Sequence, residues 1–367
     1  MDPTVPPRPD LNLLPLLKVV DPRLSARIPR SPSPCPEVSI IVPARNEEEN
    51  LGECLRSLVG QNGVSYETIV VDDGSTDRTR AIAESFAGVK VISPGKLPPA
   101  WTGKNNAVVA GAAAARGKWL LFTDADTVHK PGSLSRAVAE AQRENADLLS
   151  YSPEQVVVTF WEKAVMPVVF SELASEYPPE KVRDPSSGVI AANGQYILVR
   201  RRVYESIGGH AGVAEDILED VELAKAFRNA GHRIFFRYGG DAVRTRMYHN
   251  WQELRDGWTK NLALLFANPM RRAFLLMTWW LVAWVTLPFL AVPAALVWRI
   301  RHANFAFGAT LLAAAVGPPV FAYLLIRSQR AHASGSVSWK GRSYRVAREA
   351  PTSMAMHDSK EAFGARS

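Results

Sequence analysis

Between Val38 and Thr123 the chain alternates short, mostly apolar runs with stretches of helical periodicity, and few folds satisfy that pattern. VSIIV (38–42) reads as a buried strand, and TIVV (68–71), VKVI (89–92) and WLLFT (119–123) read as further strands. Leu51, Cys54, Leu55 and Leu58 recur at helical spacing between the first two runs, a second helix is centred on Ile82 and Phe86, and an Ala-rich helix covers about 104–115. Strands joined by helical crossovers form a mostly parallel, doubly wound α/β sheet, because the connections are right-handed and pack helices on both faces. Ligands of such sheets bind beyond the carboxyl ends of the strands.

The second half is less regular. VVVTFWEKAVMPVVFSELA (156–174) is apolar on much of its surface yet carries Glu162, Lys163 and Glu172, and reads equally as a core helix or as a helix lying in a membrane plane. GVIAANGQYILVRR (188–201) reads as a strand pair, EDILEDVELAKAFRNAG (215–231) as an amphipathic helix closed by Gly231, and HRIFFR (232–237) as a strand. Two uncharged stretches follow, 274–298 and 305–326, each meeting the roughly 20 residues needed to cross a bilayer. Trp279, Trp280, Trp298 and Tyr323 supply interfacial aromatics, and Arg271, Arg272, Arg299, Arg301 and Arg327 bracket the stretches. The expected organisation is a Pro-rich lead (1–37), a catalytic domain (38–270), a transmembrane helical hairpin (271–330) and a basic tail (331–367), with the domain on the cytoplasmic side of the cell membrane.

The chain has 367 residues, enough for one large domain with appendages. Its net charge of +7 comes without interleaved basic and aromatic residues in the folded part, which argues against nucleic acid as a partner. The densest basic group follows the last apolar stretch and suits an anionic membrane surface. Two cysteines, Cys35 and Cys54, build neither a disulfide framework nor a zinc site.

Three acidic clusters mark the chemistry: Asp72-Asp73, Asp124-x-Asp126 and Glu219-Asp220. The first two fall at expected strand ends. Carboxylates gathered at one sheet edge repel one another unless something positive lies between them, and a hard divalent cation with a diphosphate meets that need. In an extended turn residues i and i+2 project to the same side, so Asp124 and Asp126 can face one ion, with Mg²⁺ or Mn²⁺ suited to oxygen ligands. Pro43, Ala44, Asn46 and Glu47 occupy the turn after the first strand, where they can meet a nucleobase and ribose. Asp-Gly turn chemistry also accounts for Asp73, whereas Asp72 keeps a strand-like placement suited to accepting a hydrogen bond from base or ribose; both aspartates are expected on the nucleotide-sugar side. Lys104, opening the Ala-rich helix, adds a charge to a helix N-terminus, a combination that favours phosphate.

The order VPARNEE, VVDDGSTD, WTGKNNA, FTDADT and ILED resembles the family-2 inverting glycosyltransferases of the GT-A fold. The nearest likeness is to the membrane-attached branch that includes hopanoid-biosynthesis-associated and carotenoid glycosyltransferases, and it runs from about Val38 to SWKGRSY (338–344). The resemblance implies that Asp126 ligates the metal, that Asp124 holds the ribose or supports the ion, and that Asp220, beside Glu219, takes the acceptor's proton. WQELRDGWTKN (251–261) resembles a Gln-x-x-Arg-Trp element in which Gln252 and Arg255 match while the tryptophan arrives late, at Trp258. Arg255 would neutralise the diphosphate, and Gln195, Gln252 and Trp258 would stand on the acceptor side.

These readings converge on transfer of a single sugar from a nucleoside-diphosphate sugar, UDP-linked by expectation, to a lipid acceptor. A processive polysaccharide synthase and a catalytically silent nucleotide-binding scaffold are the competing readings.

Overall fold

The computed structural model describes residues 35–286, 291–301, 303, 305–339 and 342–345. The expected Pro-rich lead falls almost wholly outside the described residues, as does the last part of the basic tail.

Strands β1 (Val38–Ala44), β2 (Tyr66–Asp72), β3 (Val89–Ile92) and β4 (Trp119–Phe122) form the parallel half of a seven-stranded sheet, with β1 between β2 and β4. Alternate side chains of β1 go to opposite faces, as the two-residue period of a strand requires. Val38, Ile40 and Val42 join the core under α1 (Leu51–Val59), while Ile41 joins the core under α3 (Gly103–Ala114). Both faces of β1 are covered, which is why its run shows no polar alternation, whereas the edge strand β3 exposes Lys90.

Past β4 the sheet departs from the expected parallel order. The strand pair read at 188–201 is a single strand, β8 (Ile197–Arg200), and it runs antiparallel between β4 and β6 (Leu148–Ser152). β9 (Ile234–Tyr238) then completes the edge, parallel to β6. The sheet is therefore mixed. Phe122 at the end of β4 pairs with Ile197 at the start of β8, so the residues just before Ile197 meet the residues just after β4. A small second sheet, β5 (Thr127–His129), β10 (Val243–Thr245) and β7 (Glu154–Gln155), closes over the same edge.

A third core is helical. α5 (Phe160–Glu176), α9 (Trp251–Leu265), α10 (Pro269–Val285), α11 (Ala291–Arg301) and α12 (Phe307–Ala333) share one apolar cluster. Of the two readings of 156–174, the core helix is the observed one: Ala164, Val165, Val168 and Val169 are buried against α12 and its neighbours. Its charges are paired rather than solvated. Glu162 meets Arg246 at 3.0 Å and closes a capping box with Thr159, and Glu172 lies 2.6 Å from Arg272 and 2.8 Å from Arg299.

The expected two-span hairpin is not borne out. The stretch 274–298 is divided between α10 and α11, of 17 and 11 residues, each below the length of about 20 residues that a span needs. Pro293 sits in the first turn of α11, where a missing N–H costs little. Among the described residues one helix, α12, is long and apolar enough to cross a membrane, and 56% of its apolar window is buried. Ser336–Trp339 and Arg342–Arg345 pair as an antiparallel hairpin after it.

Candidate active site

The loops at the carboxyl ends of β1, β2 and β4 open into a cavity of about 1020 Å³, at the upper end of the usual range for small-molecule sites. Pro43, Ala44, Asn46 and Glu47 line it, as expected. The β1 and β2 loops are stitched together: the Thr76 N–H donates to Asn46 Oδ1 at 2.9 Å, the Asn46 N–H to Ser75 Oγ at 3.1 Å, and the Glu47 N–H to Thr79 Oγ1 at 2.7 Å. Asn46 has φ of 52°, a left-handed conformation that asparagine tolerates better than most residues.

Of the Asp72-Asp73 pair, expected together on the nucleotide-sugar side, only Asp73 lines the cavity. Asp72 is 4% exposed, accepts the Ser75 N–H at 3.2 Å and faces Arg80 at 3.7 Å. It caps the turn, and Asp73 is the one that lines the cavity. The strand's last inward position is buried by geometry, so the next residue reaches the ligand side.

Lys104 stands on the first turn of α3, whose N-cap Thr102 accepts the Asn105 N–H at 3.1 Å. Its ammonium lies 2.9 Å from Asp124 Oδ1 and 2.8 Å from Glu219 Oε1. Burial works against its charge, but Asp124 and Glu219 outweigh it and hold the ammonium well above its ordinary pKa.

The Asp124–Asp126 turn is held by its backbone. Thr127 Oγ1 donates to the Asp124 carbonyl at 2.6 Å, Thr245 Oγ1 to the Asp126 carbonyl at 3.1 Å, and Thr123 Oγ1 to the Gln195 carbonyl at 2.8 Å. His129 lies 3.1 Å from Thr123 Oγ1, and burial lowers its pKa to about 3, so it is a neutral part of this scaffold. Both aspartate side chains reach the cavity. Among the described residues no group of three or more His, Cys, Asp or Glu side chains can hold an ion unaided. The oxygen-only pair at this turn still fits a hard cation that takes its remaining ligands from phosphates.

Glu219 and Asp220 begin α8 (Glu219–Asn229) rather than sitting inside a longer helix, so both carboxylates lie at its positive end. Asp220 Oδ2 accepts the Gly194 N–H at 2.8 Å, and Oδ1 accepts the Val221 N–H at 2.9 Å. Burial, followed by the neighbouring Glu219 charge, raises the Asp220 pKa to about 6. Glu219 is also pushed up by burial, but Lys104 and Lys260 outweigh that and hold it below the usual carboxylate range. Gly194 keeps the approach open: a Cβ there would lie 3.2 Å from Lys104 Nζ, close enough to shift the ammonium, and 3.4 Å from Asp220 Oδ2, in ordinary contact.

The acceptor-side residues divide. Gln195 is buried at the wall, with Nε2 donating to Thr245 Oγ1 at 3.3 Å, and Gln252 lines the cavity. Trp258 is 2% exposed, also borders the cavity, and donates its indole N–H to Met166 Sδ at 3.4 Å, so it is anchored in the helical core. Arg255 does not line the cavity. Its guanidinium is bound in a fork to Asp256, at 2.8 and 3.2 Å. His210 is buried against Tyr204 and Phe122.

Lys260, rather than Arg255, is the basic residue of α9 that lines the cavity, and it adds positive charge near Glu219, Asp124 and Asp220. Its spacing was the available signal: Gln252, Asp256 and Lys260 are four apart and share a helix face. His249 and an apolar wall on α5 were also missed.

The glycosyl transferase family 2 model matches residues 39–208. A 4,4'-diaponeurosporenoate glycosyltransferase of Staphylococcus haemolyticus (strain JCSC1435) is 30% identical over 259 residues, covering 68% of this chain and 67% of its own. The protein of the same description from Staphylococcus aureus (strain MRSA252) is 25% identical over 346 residues, covering 85% and 89%. Among solved structures, a mannosyltransferase from Pyrobaculum calidifontis in complex with GDP-Man and Mn²⁺ covers 82% of this chain and 88% of its own, at 19% identity and a TM-score of 0.47.

Proposed function

The chain belongs to glycosyl transferase family 2, and from that premise we infer that it moves one sugar from a nucleoside-diphosphate sugar to a hydroxyl of a membrane lipid, with inversion. One observation carries the reading: Asp220, with its pKa near 6, shares a cavity with the β1 and β2 loops, Lys104 and the Asp124–Asp126 turn. A carboxylate with that pKa is ionised near neutrality and still basic enough to take a proton from an attacking hydroxyl.

In this reading Pro43, Ala44, Asn46, Glu47 and Asp73 take the nucleoside, with UDP the expected one. Asp126 and the donor's phosphates hold Mg²⁺ or Mn²⁺, with Asp124 beside them. When bound, the cation neutralises charge on the departing diphosphate. Lys104 and Lys260 do the same from the protein side, fixed in place before the charge develops. Asp220 receives the acceptor's proton, and its bond from the Gly194 N–H keeps one oxygen aimed.

The relatives' names point to a lipid-like carotenoid acid as their acceptor. An amphipathic lipid fits this chain too, since α12 is apolar and α10 exposes Phe274, Trp279, Leu281 and Trp284. These features support membrane attachment, and in this reading the catalytic domain stands on the cytoplasmic side.

The test uses purified full-length protein in detergent, a panel of radiolabelled nucleotide sugars and total host lipid. Labelled lipid bearing a single sugar is expected from one donor and absent with Asp220→Asn. No transfer from any donor, or a polymeric product, overturns the reading.

A further inference from the structure

The cavity has two chemically different walls. Along one lie Lys104, Asp124, Asp126, Glu219 and Asp220; along the other lie Phe170, Leu173 and Ala174 of α5, its C-cap Tyr177, and Leu265 of α9. The three α5 positions follow the i, i+3, i+4 pattern and Tyr177 caps the same side, so they form one continuous stripe, about 10 Å long by the helical rise. The opposite face of α5 is packed against α12, where a Cβ at Gly317 would strike the Ala164 carbonyl and Val168. The stripe is therefore the partly buried, cavity-lining side of a helix whose other side is fixed in the apolar core, with the Phe170 ring packed edge-on against Trp258.

Tyr177 does not make this wall polar. Its hydroxyl donates to the Leu265 carbonyl at 2.6 Å, which ties α5 to α9 and leaves the ring as the exposed surface. A nucleoside diphosphate sugar is polar along most of its length and has no use for such a stripe. Apolar surface inside a ligand cavity is stabilised when an apolar ligand displaces its water.

We propose that the α5 stripe is the berth of the acceptor's hydrocarbon chain, with the acceptor lying along Phe170, Leu173, Ala174 and Tyr177 and its reacting end turned toward Asp220. The assignment rests on the transferase reading and names its acceptor class: a lipid with an extended, unbranched-width apolar chain adjoining the reactive group, rather than a soluble sugar. Discrimination comes from apolar contact over the length of the stripe, so short-chain acceptors lose most of it.

The test is photolabelling of the full-length protein in detergent with a long-chain alkyl diazirine alcohol, mapped by peptide mass spectrometry. Label is expected within residues 170–177 of the wild type, and excess host lipid should compete it away. Ala174→Trp, which fills the stripe, and Leu173→Gln, which makes it polar, should each cut that label by about ten-fold while UDP affinity and melting temperature hold within about two-fold and a few degrees. Wild-type protein with no label at 170–177, or label that host lipid does not displace, overturns the berth whatever the variants do. Sugar transfer is assayed in parallel. Transfer without label at α5 sinks the berth alone, whereas displaceable label without transfer from any donor keeps the berth and sinks the transferase reading.

Discussion

Lys104 Nζ lies 2.8 Å from Glu219 Oε1, joining the first turn of α3 to the first turn of α8 across the cavity. The same ammonium reaches Asp124 at 2.9 Å, so one cation holds together two carboxylates that would otherwise repel. Lys260 approaches the group from α9. Lys104, Lys260 and Arg45 line the cavity with positive charge, and Arg255 is not among the lining residues.

Lys260→Ala should lower kcat/KM by about 100-fold, the scale for losing one preorganised group that stabilises developing charge. Arg255→Ala should stay within about three-fold, because its partner is a partly exposed neighbour. Initial rates with labelled donor decide the matter, and equal losses would return Arg255 to the site.

The pH profile should report Asp220. A general base works when ionised, so kcat/KM should climb as pH rises through about 6 and level off above it. Asp220→Asn should cost about 100-fold or more and remove the acidic limb. An unchanged limb in the variant would assign the titration elsewhere.

Gly194→Ala introduces a methyl 3.2 Å from Lys104 Nζ and 3.4 Å from Asp220 Oδ2. The ammonium must shift by a few tenths of an ångström while Asp220 stays in ordinary contact, so kcat should fall modestly, by about three-fold, while KM for the donor changes less. Thermal unfolding should move little, since the crowding falls on the cavity wall.

Chelation should abolish turnover, and Mn²⁺ or Mg²⁺ should restore it. Calorimetry gives a readout independent of turnover. Mn²⁺ should tighten UDP binding to the wild type but not to Asp126→Asn, which loses a charged ligand. Tighter binding in both would move the ion away from Asp126.

Gly317→Val should destabilise the fold by about 1–3 kcal/mol through overpacking, because the new side chain meets the Ala164 carbonyl and Val168. Chemical denaturation measures it. A neutral result would mean that α5 and α12 can move apart.

Much of this was legible in the chain itself. The runs at 38–42, 68–71 and 119–123 announced parallel strands, because a mostly apolar run of four or five residues leaves little solvent face. Their carboxyl ends located Asn46, Glu47, Asp124 and Asp126 without any coordinates. The antiparallel β8 was not legible, since ILVR carries no mark of its direction. Nor was the choice of Asp73 over Asp72 at the cavity, which depends on where β2 stops relative to its neighbours. The long stretch 274–298 misled because hydropathy counts residues and is blind to a helix ending at Thr286.

The local sequence, then, determined the strands, the helix starts and the acidic turns, because each depends on residues only a few positions apart. Tertiary structure decided which charges meet. Lys104, Asp124, Glu219 and Lys260 come from four separate elements, and an ion pair depends on a few ångströms of space that no spacing along the chain encodes.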